Sequence, residues 1–418
     1  MTIKAMLVSV GGAPAPIIYT LNQRTPTYIC FFVSPETKST LHEQILPALD
    51  FQPRHYDWIE TPSAQLLNES YRALAKQLPP LLEKWDVPWQ SLEVDFTGGT
   101  KTMSVAVVLA TIEHVSNYSY VGSPDADGRD KGGVGVVLDG RERMWYQSNP
   151  WDELAVLERR EIALLFNRAR YDAAHERAAR LAKVVSEELQ TIYAALAQGI
   201  EGYALWDRFE YKTARSRLSR ALTTLEPYAA GRKAPLVAAV HAMRQNVQFL
   251  HNLLNKQQKA RAHHLDVLDL LANAQRRAEL ACRYDDAVAR LYSALESLAR
   301  YRLEDEHGIA NAEVAPEKVP EDVRAAYIER YLNEEEGTLV LGLDASYRLL
   351  AALDDELGKR YIRRYQELRQ VLDVRNHSRL AHGRNPVRPR VYQRLRDLIF
   401  DFADIEESDL PTVPPRGR

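Results

Sequence analysis

Hydrophobic positions in the first 150 residues follow two alternating periods. Short apolar runs near 4–10, 28–33, 55–59, 92–96, 117–121 and 134–138 predict strands. Segments near 14–23, 38–48, 64–84 and 102–115 carry apolar residues at spacings of three and four and predict helices. Strand–helix alternation of this kind predicts a parallel sheet with helices on both faces. Ligands of such sheets bind beyond the carboxyl ends of the strands. Four turns follow predicted strands and converge there: Gly11-Gly12, Ser34 to Lys38, Thr97 to Lys101 and Gly122 to Asp127. Gly132-Gly133-Val134-Gly135 reads as a hairpin or loop rather than a second phosphate site.

After Pro150 the pattern changes. Residues 153–303 are rich in Ala, Leu and Arg, with helical periodicity and few turn signals. A weak repeat, Tyr-x-x-Ala-x-x-Arg, occurs at Tyr171/Ala174/Arg177, Tyr211/Ala214/Arg217 and Tyr284/Ala287/Arg290. Its uneven spacing predicts helical hairpins resembling tetratricopeptide units rather than a regular solenoid, and plain packing outweighs a peptide groove. Residues 304–337 are acidic and hold Pro316 and Pro320, so a loop-rich stretch with one short helix is expected. Helices resume over 345–405, and the proline-rich tail after Asp409 is expected to be disordered. The expected domains are 1–150, 151–280 and 281–408, with 409–418 as a tail. The fold class is α/β plus all-α.

Composition narrows the setting. The 418 residues carry a net charge of −3, which does not by itself advertise nucleic-acid binding. The longest apolar run, Val105 to Ile112, is too short to span a bilayer, and no secretion signal opens the chain. Two cysteines, Cys30 in a predicted strand and Cys282 in a predicted helix, make neither a metal spacing nor a disulfide framework. A reducing cytoplasm and no membrane partner are expected.

The richest local chemistry is Asp95-Phe96-Thr97-Gly98-Gly99-Thr100-Lys101, between a strand and a helix. A glycine turn into a helix leaves backbone N–H groups unpaired, and the helix dipole adds positive potential. Thr97, Thr100 and Lys101 add hydroxyls and a cation, which makes a phosphate cradle without the Walker order. A bare Gly-Gly is more often only a tight turn. The whole string, however, resembles the CRISPR-associated Rossmann-fold sensor domain, or CARF domain. The strand Ala5 to Val10 running into Gly11-Gly12 is similar to that domain's start, as is Tyr28 to Val33 followed by Ser34-Pro35-Glu36-Thr37-Lys38. The resemblance covers roughly 1–150 and implies a cyclic oligoadenylate ligand. Its implied contacts are Gly11, Gly12, Ser34, Lys38, Thr97, Gly98, Gly99, Thr100 and Lys101. Cyclic tetra-adenylate is the ring expected from the Asp95 to Lys101 string.

A second constellation is Arg375-Asn376-His377-Ser378-Arg379-Leu380-Ala381-His382-Gly383. Ile362, Tyr365, Leu368 and Leu372 predict a helix leading into it. If that helix continues, Arg375 and His382 lie two turns apart on one face with Arg379 between them, and His377 points away. Imidazole suits proton transfer near neutrality, and a guanidinium offsets charge building on a phosphate. Arg, His and an amide on one face can therefore cleave RNA without a metal, through 2′-OH attack that leaves a 2′,3′-cyclic phosphate and a 5′-OH.

Arg-x(4–6)-His alone is a weak pattern. It recurs at Arg168 and Arg170 with His175, at Arg244 with His251, and at Arg300 and Arg302 with His307. The Arg375 copy differs in reading Arg-Asn-x5-His-Gly, and residues 361–396 hold ten Arg against Glu367 and Asp373. It resembles the active-site motif of HEPN ribonucleases, whose helical domains dimerise to build a composite site. Tyr284-Asp285-Asp286 through Glu296 resembles an early helix of that domain. The resemblance covers roughly 280–405 and implies Arg375, Asn376 and His382 as catalytic residues, and Arg379 and Arg384 as RNA contacts.

Together these features lead to one expectation: a homodimeric, ring-activated, metal-independent endoribonuclease acting on single-stranded RNA in type III CRISPR defence, with no bound cofactor or metal. The competing readings are a non-cutting sensor that binds RNA or a partner protein, and a ring nuclease that degrades its own messenger. A metal-dependent DNA nuclease ranks last, since 151–418 offers no convincing Asp…Glu-x-Lys strand.

Overall fold

The computed structural model describes residues 3–114, 117–123, 128–130, 137–138, 140–147, 149–230, 235–258, 263–377 and 386–412. The chain divides into two compact units, 1–159 with 179–193, and 160–178 with 194–418.

The first unit is built on a six-stranded sheet. In chain order its elements are β1 Ala5–Ser9, α1 Ala15–Arg24, β2 Tyr28–Val33 and a helical stretch α2 over 38–48, which passes through a π turn at Leu41–Ile45. There follow β3 His55–Glu60, α3 Leu67–Lys84, β4 Leu92–Asp95, α4 Lys101–Thr111, β5 Asn117–Gly122 and β6 Arg143–Tyr146. The strand order is β3-β2-β1-β4-β5-β6; the first five are parallel and β6 runs antiparallel to β5.

Alternation along β1 explains the layers. Ala5 and Leu7 join the core under α3 and α4, whereas Met6 and Val8 join the core under α1 and α2. Because β1 is covered on both faces, all five of its residues are buried.

The sixth strand corrects the sequence reading. Of the expected strand at 134–138, Val137 makes only an isolated bridge with Arg129, and 134–136 lie outside the described residues. The strand is Arg143–Tyr146 instead. It is an edge strand facing solvent, so it lacks the continuous buried apolar run that marks β1, β2 and β4. Cations cover its aromatic rings: Arg24 lies 4.6 Å from the Tyr146 centroid and Arg143 lies 5.0 Å from that of Trp145.

Six helices follow: α5 Pro150–Asn167, α6 Tyr171–Val184, α7 Glu187–Asp207, α8 Tyr211–Ala229, α9 Pro235–Gln257 and α10 His264–Gln275, which runs on into a π turn at Arg276–Leu280. The Tyr-x-x-Ala-x-x-Arg repeat marks helix starts. Tyr171, Tyr211 and Tyr284 are each the first residue of a helix, and Ala174, Ala214 and Ala287 are fully buried. Two residues before each Tyr stands a left-handed residue, Ala169, Phe209 or Cys282, that reverses the chain. Cys282 thus lies in a turn, not in the helix expected from sequence.

Within the second unit a buried polar network ties the end of α7 to α8, α10 and the π turn. The Asp269 carboxylate accepts from Trp206 Nε1 and Tyr211 Oη, both at 2.8 Å, and burial pushes its pKa up to about 6. Asp207, at the end of α7, pairs with Arg276 and Arg277 of the π turn.

The rest of the second unit comprises α11 Tyr284–His307, α12 Glu321–Tyr331, a small hairpin (β7 Leu332–Asn333, β8 Thr338–Leu339), α13 Leu343–Ala352, α14 Glu356–Arg363, α15 Tyr365–Asn376 and α16 Pro389–Ala403. Their common core includes Leu291, Leu295, Tyr347, Tyr361, Leu368 and Phe402. The rings of Tyr347 and Tyr361 stack at 4.4 Å. Packing continues past Asp409, for Leu410 is 7% exposed in the same core.

Candidate ligand cradle and active-site segment

The sheet order reverses between β1 and β4, and their carboxyl ends define the crevice where ligands of such sheets bind. There the loops after β1 and β4 touch backbone to backbone. A Cβ on Gly98 would lie 2.2 Å from the Ser9 carbonyl oxygen and 3.1 Å from the Gly11 nitrogen. One on Gly11 would lie 2.5 Å from the Gly99 nitrogen. Gly99 itself has φ of 80°, which a side chain strains. Gly12 faces open space.

Hydrogen bonds hold this junction. Ser9 Oγ donates to the Gly98 carbonyl at 2.6 Å, and Ser104 Oγ donates to the same oxygen at 3.3 Å. Asp95, fully buried at the end of β4, accepts from the Thr97 backbone N–H (3.0 Å), Ser119 Oγ (2.9 Å) and Thr20 Oγ1 (3.4 Å). Burial pushes its carboxyl up to about 6 against the lowering effect of the Thr97 and Ser119 hydrogen bonds. Sequence reasoning missed Ser9, Ser104 and Ser119 as supports. For Ser9 and Ser119 the available signal was a serine at the end of, or inside, a strand; Ser104 lies in the first turn of α4.

The two threonines serve the fold as well as the cradle. Thr97 Oγ1 accepts from the Val121 N–H at 2.8 Å. Thr100 caps α4, accepting from the Met103 N–H at 3.2 Å, while its hydroxyl donates to the Ala64 carbonyl. Lys101, the first residue of α4, is exposed and makes no ion pair among the described residues. Of the backbone N–H groups that open α4 and lack an intrahelical carbonyl, that of Met103 is taken by Thr100, and Lys101 stands beside the others.

Two expected contacts are already occupied. Lys38 Nζ pairs with Glu60 at 2.9 Å and lies over the Trp58 ring at 5.2 Å. Ser34 is buried and opens a turn: its N–H donates to Thr37 Oγ1, and its carbonyl accepts from Thr37 and Lys38.

A raised Asp95 pKa makes stability depend on pH. The folded state holds its proton more tightly than the ordinary value of 3.8. The resulting stabilisation is complete below about pH 4 and lost as pH rises through about 6. Relative to wild type, Asp95→Asn should therefore gain stability across that window, on the order of 3 kcal/mol. Thermal unfolding of both proteins at pH 4 to 7 measures this; parallel profiles would contradict it.

In the second unit the leading helix breaks. α14 ends at Arg363 and α15 starts at Tyr365, so Ile362 lies on the earlier helix and is 42% exposed, whereas Leu368 is buried. Sequence periodicity ran through the break because both helices present apolar residues at compatible spacings. Arg375 and Asn376 close α15. His377 is exposed, as expected, and its Nδ1–H donates to the Asp373 carbonyl at 2.7 Å. Arg379, His382 and Arg384 lie outside the described residues. Further along the chain, the Val387 N–H donates to Asp285 Oδ2 at 3.1 Å. This bond fastens the chain just beyond the His382 segment to the first turn of α11.

Residues 255–406 match a family model described as the Csm6 HEPN domain, and 154–268 match one described as the Csm6 6H domain. The two models together span more than half of the chain. It belongs to the CARF–HEPN family. The 6H model falls on the stretch of six helices described above. No curated protein matches the chain.

Among solved structures, this CARF–HEPN protein is similar to Enterococcus italicus Csm6 bound to cyclic hexa-2′-fluoro-hexa-dAMP. The TM-score is 0.58 and the identity 11%, with 98% of this chain and 96% of that chain covered. At that identity the likeness establishes the fold. Can2 from Sulfobacillus thermosulfidooxidans in complex with cyclic tetra-adenylate aligns at TM-score 0.24 and 12% identity over 66% of this chain and 68% of that one. Among the described residues no helix is long and apolar enough to cross a membrane.

Proposed function

We propose that this CARF–HEPN protein is a cyclic-oligoadenylate-activated, metal-independent endoribonuclease of type III CRISPR defence that cuts single-stranded RNA. The observation that carries the sensor half is the β1–β4 junction. Glycine backbones abut at the switch point of the sheet, beside the start of α4 and Lys101, which is exposed and makes no ion pair among the described residues. Gly98, Gly99 and Lys101 are the phosphate contacts in this reading, with Gly11, Gly12, Thr97 and Thr100 shaping the cradle. Ser34 and Lys38 stand at its margin. In the structure neighbour from Enterococcus italicus the bound ligand is a cyclic hexanucleotide analogue, which makes ring size a direct experimental variable.

For the catalytic half, Arg375 holds the scissile phosphate and offsets its charge. His382 moves the proton, Asn376 orients the groups, and Arg379 and Arg384 hold the RNA backbone. The 2′-OH attacks the adjacent phosphorus and the P–O5′ bond breaks, leaving a 2′,3′-cyclic phosphate and a 5′-OH. Single-stranded RNA suits this chemistry because in-line attack needs a flexible backbone. Ring binding activates to the extent that the ring prefers the active arrangement.

A two-fold homodimer completes the reading, since a symmetric ring is met by the same loop from each subunit. Lys101, Val105 and Leu109 lie on one face of α4 at i, i+4, i+8, and Val105 and Leu109 are each 48% exposed. Val105→Asp with Leu109→Asp should shift the protein towards monomer in sedimentation and raise the ring concentration needed for activation about tenfold or more. An unchanged sedimentation coefficient would remove α4 from the interface.

The deciding experiment incubates purified protein with labelled single-stranded RNA and EDTA, with and without cyclic tetra-adenylate or cyclic hexa-adenylate. Cleavage with one ring only, giving 2′,3′-cyclic phosphate ends, is the expected result. Tight ring binding without cleavage would leave a non-cutting sensor, and conversion of the ring to linear adenylates would reveal a ring nuclease.

A further inference from the structure

The amino-terminal end of the same sheet, opposite the glycine junction, carries a pocket. The first residues of three strands are in register there, Ala5 against Tyr28 and Tyr28 against His55. The Arg54 backbone N–H donates to the Thr27 carbonyl at 2.9 Å, which holds the entry to β3 beside β2. α3 ends nearby at Lys84. Trp85 closes its last turn, and Asp86, with φ of 53°, sends the chain back towards the sheet. These segments enclose a cavity of about 630 Å³, within the size range of small-molecule sites. It lies at the amino ends of the strands, about 17 Å from the glycine junction by the rise of a five-residue strand.

The lining has a specific chemistry. Tyr28 is sandwiched between His55, at 5.9 Å and 20°, and Trp85, at 5.3 Å and 25°. Trp85 is buried, while His55, at the outer end of the ladder, is exposed. Lys4 and Arg54 are exposed, line the cavity, and have no ion-pair partner among the described residues. Lys84 is held at 3.7 Å from Asp57, which leaves Asp86 as the exposed carboxylate of the rim.

We infer that this pocket binds a nucleoside monophosphate, with the base stacked on the His55–Tyr28 ladder, the phosphate between Lys4 and Arg54, and Asp86 accepting from the ribose hydroxyls. Stacking on an exposed ring gives a base a π partner, and two unpaired cations favour a dianionic phosphate. A carboxylate that accepts from ribose hydroxyls is a recurrent way of recognising that sugar. The inference is independent of the ring cradle, since no residue is shared.

The test titrates the full-length protein with AMP, adenosine and inorganic phosphate, following binding by calorimetry and ligand-observed NMR. Wild type is compared with Arg54→Ala, His55→Ala and Lys101→Ala, all at exposed positions. AMP should bind about tenfold or more tightly than adenosine or phosphate alone. Arg54→Ala and His55→Ala should each weaken AMP about tenfold, and Lys101→Ala should leave it unchanged. Absence of saturable AMP binding at millimolar concentration would overturn the inference. So would equal binding by the Arg54 and His55 variants, or loss of binding in Lys101→Ala, which would move AMP to the opposite end of the sheet.

Discussion

Replacing His382 with Ala should lower ring-stimulated RNA cleavage by about 10²–10⁴-fold, the range contributed by one positioned general acid or base. Ring binding should be unaffected, because the cradle and this segment belong to different domains of the chain. Arg375→Ala should be comparably damaging. Arg375→Lys should rescue little, since an ammonium cannot hold two phosphate oxygens as a guanidinium does. If the two residues act as a unit, the double variant will be scarcely worse than either single one. Single-turnover cleavage in EDTA at saturating ring measures all four variants. Full activity in His382→Ala would end the active-site assignment while leaving the sensor reading intact.

The second large effect is structural. Gly98→Ala places a methyl group 2.2 Å from the Ser9 carbonyl and 3.1 Å from both the Gly11 nitrogen and Ile17 Cδ1. Backbone atoms cannot rotate away as a flexible side chain would, so the loops after β1 and β4 must separate. A cost of about 3 kcal/mol, the upper end of overpacking, is expected. It should appear as a lowered unfolding temperature of the first unit together with loss of the ring response. Gly12→Ala is the control, because its added methyl meets no atom within 4 Å. That variant should keep wild-type thermal stability, so any weakening of ring binding by it would report a ligand contact. Equal stability of Gly98→Ala and wild type would show that the junction yields easily.

The sequence alone determined a good deal about this protein. Short apolar runs placed β1, β2 and β4, because strands covered on both faces must be apolar, and shorter runs at 55–59 and 117–121 placed β3 and β5. Helical periodicity placed α1, α3, α4 and the long helical region, and the Asp95 to Lys101 and Arg375 to Gly383 strings pointed to one family before any fold was known. Sequence also singled out Gly11, Gly98 and Gly99 without giving a reason that separates them from Gly12.

Tertiary structure supplied that reason. Gly11, Gly98 and Gly99 meet only because β1 and β4 are neighbours across the switch point, a non-local pairing that no local pattern encodes. It also decided that Lys38 is bound to Glu60 whereas Lys101 makes no ion pair among the described residues, since an ion pair depends on which strand lies alongside. β6 escaped detection because this four-residue, mostly exposed edge strand carries no apolar run of its own, and the break at Arg364 escaped it because two short helices can share one apolar rhythm. Period and turn chemistry are local and can be read along the chain. Close approach, burial of Asp95 and choice of ion-pair partner arise only when distant segments pack.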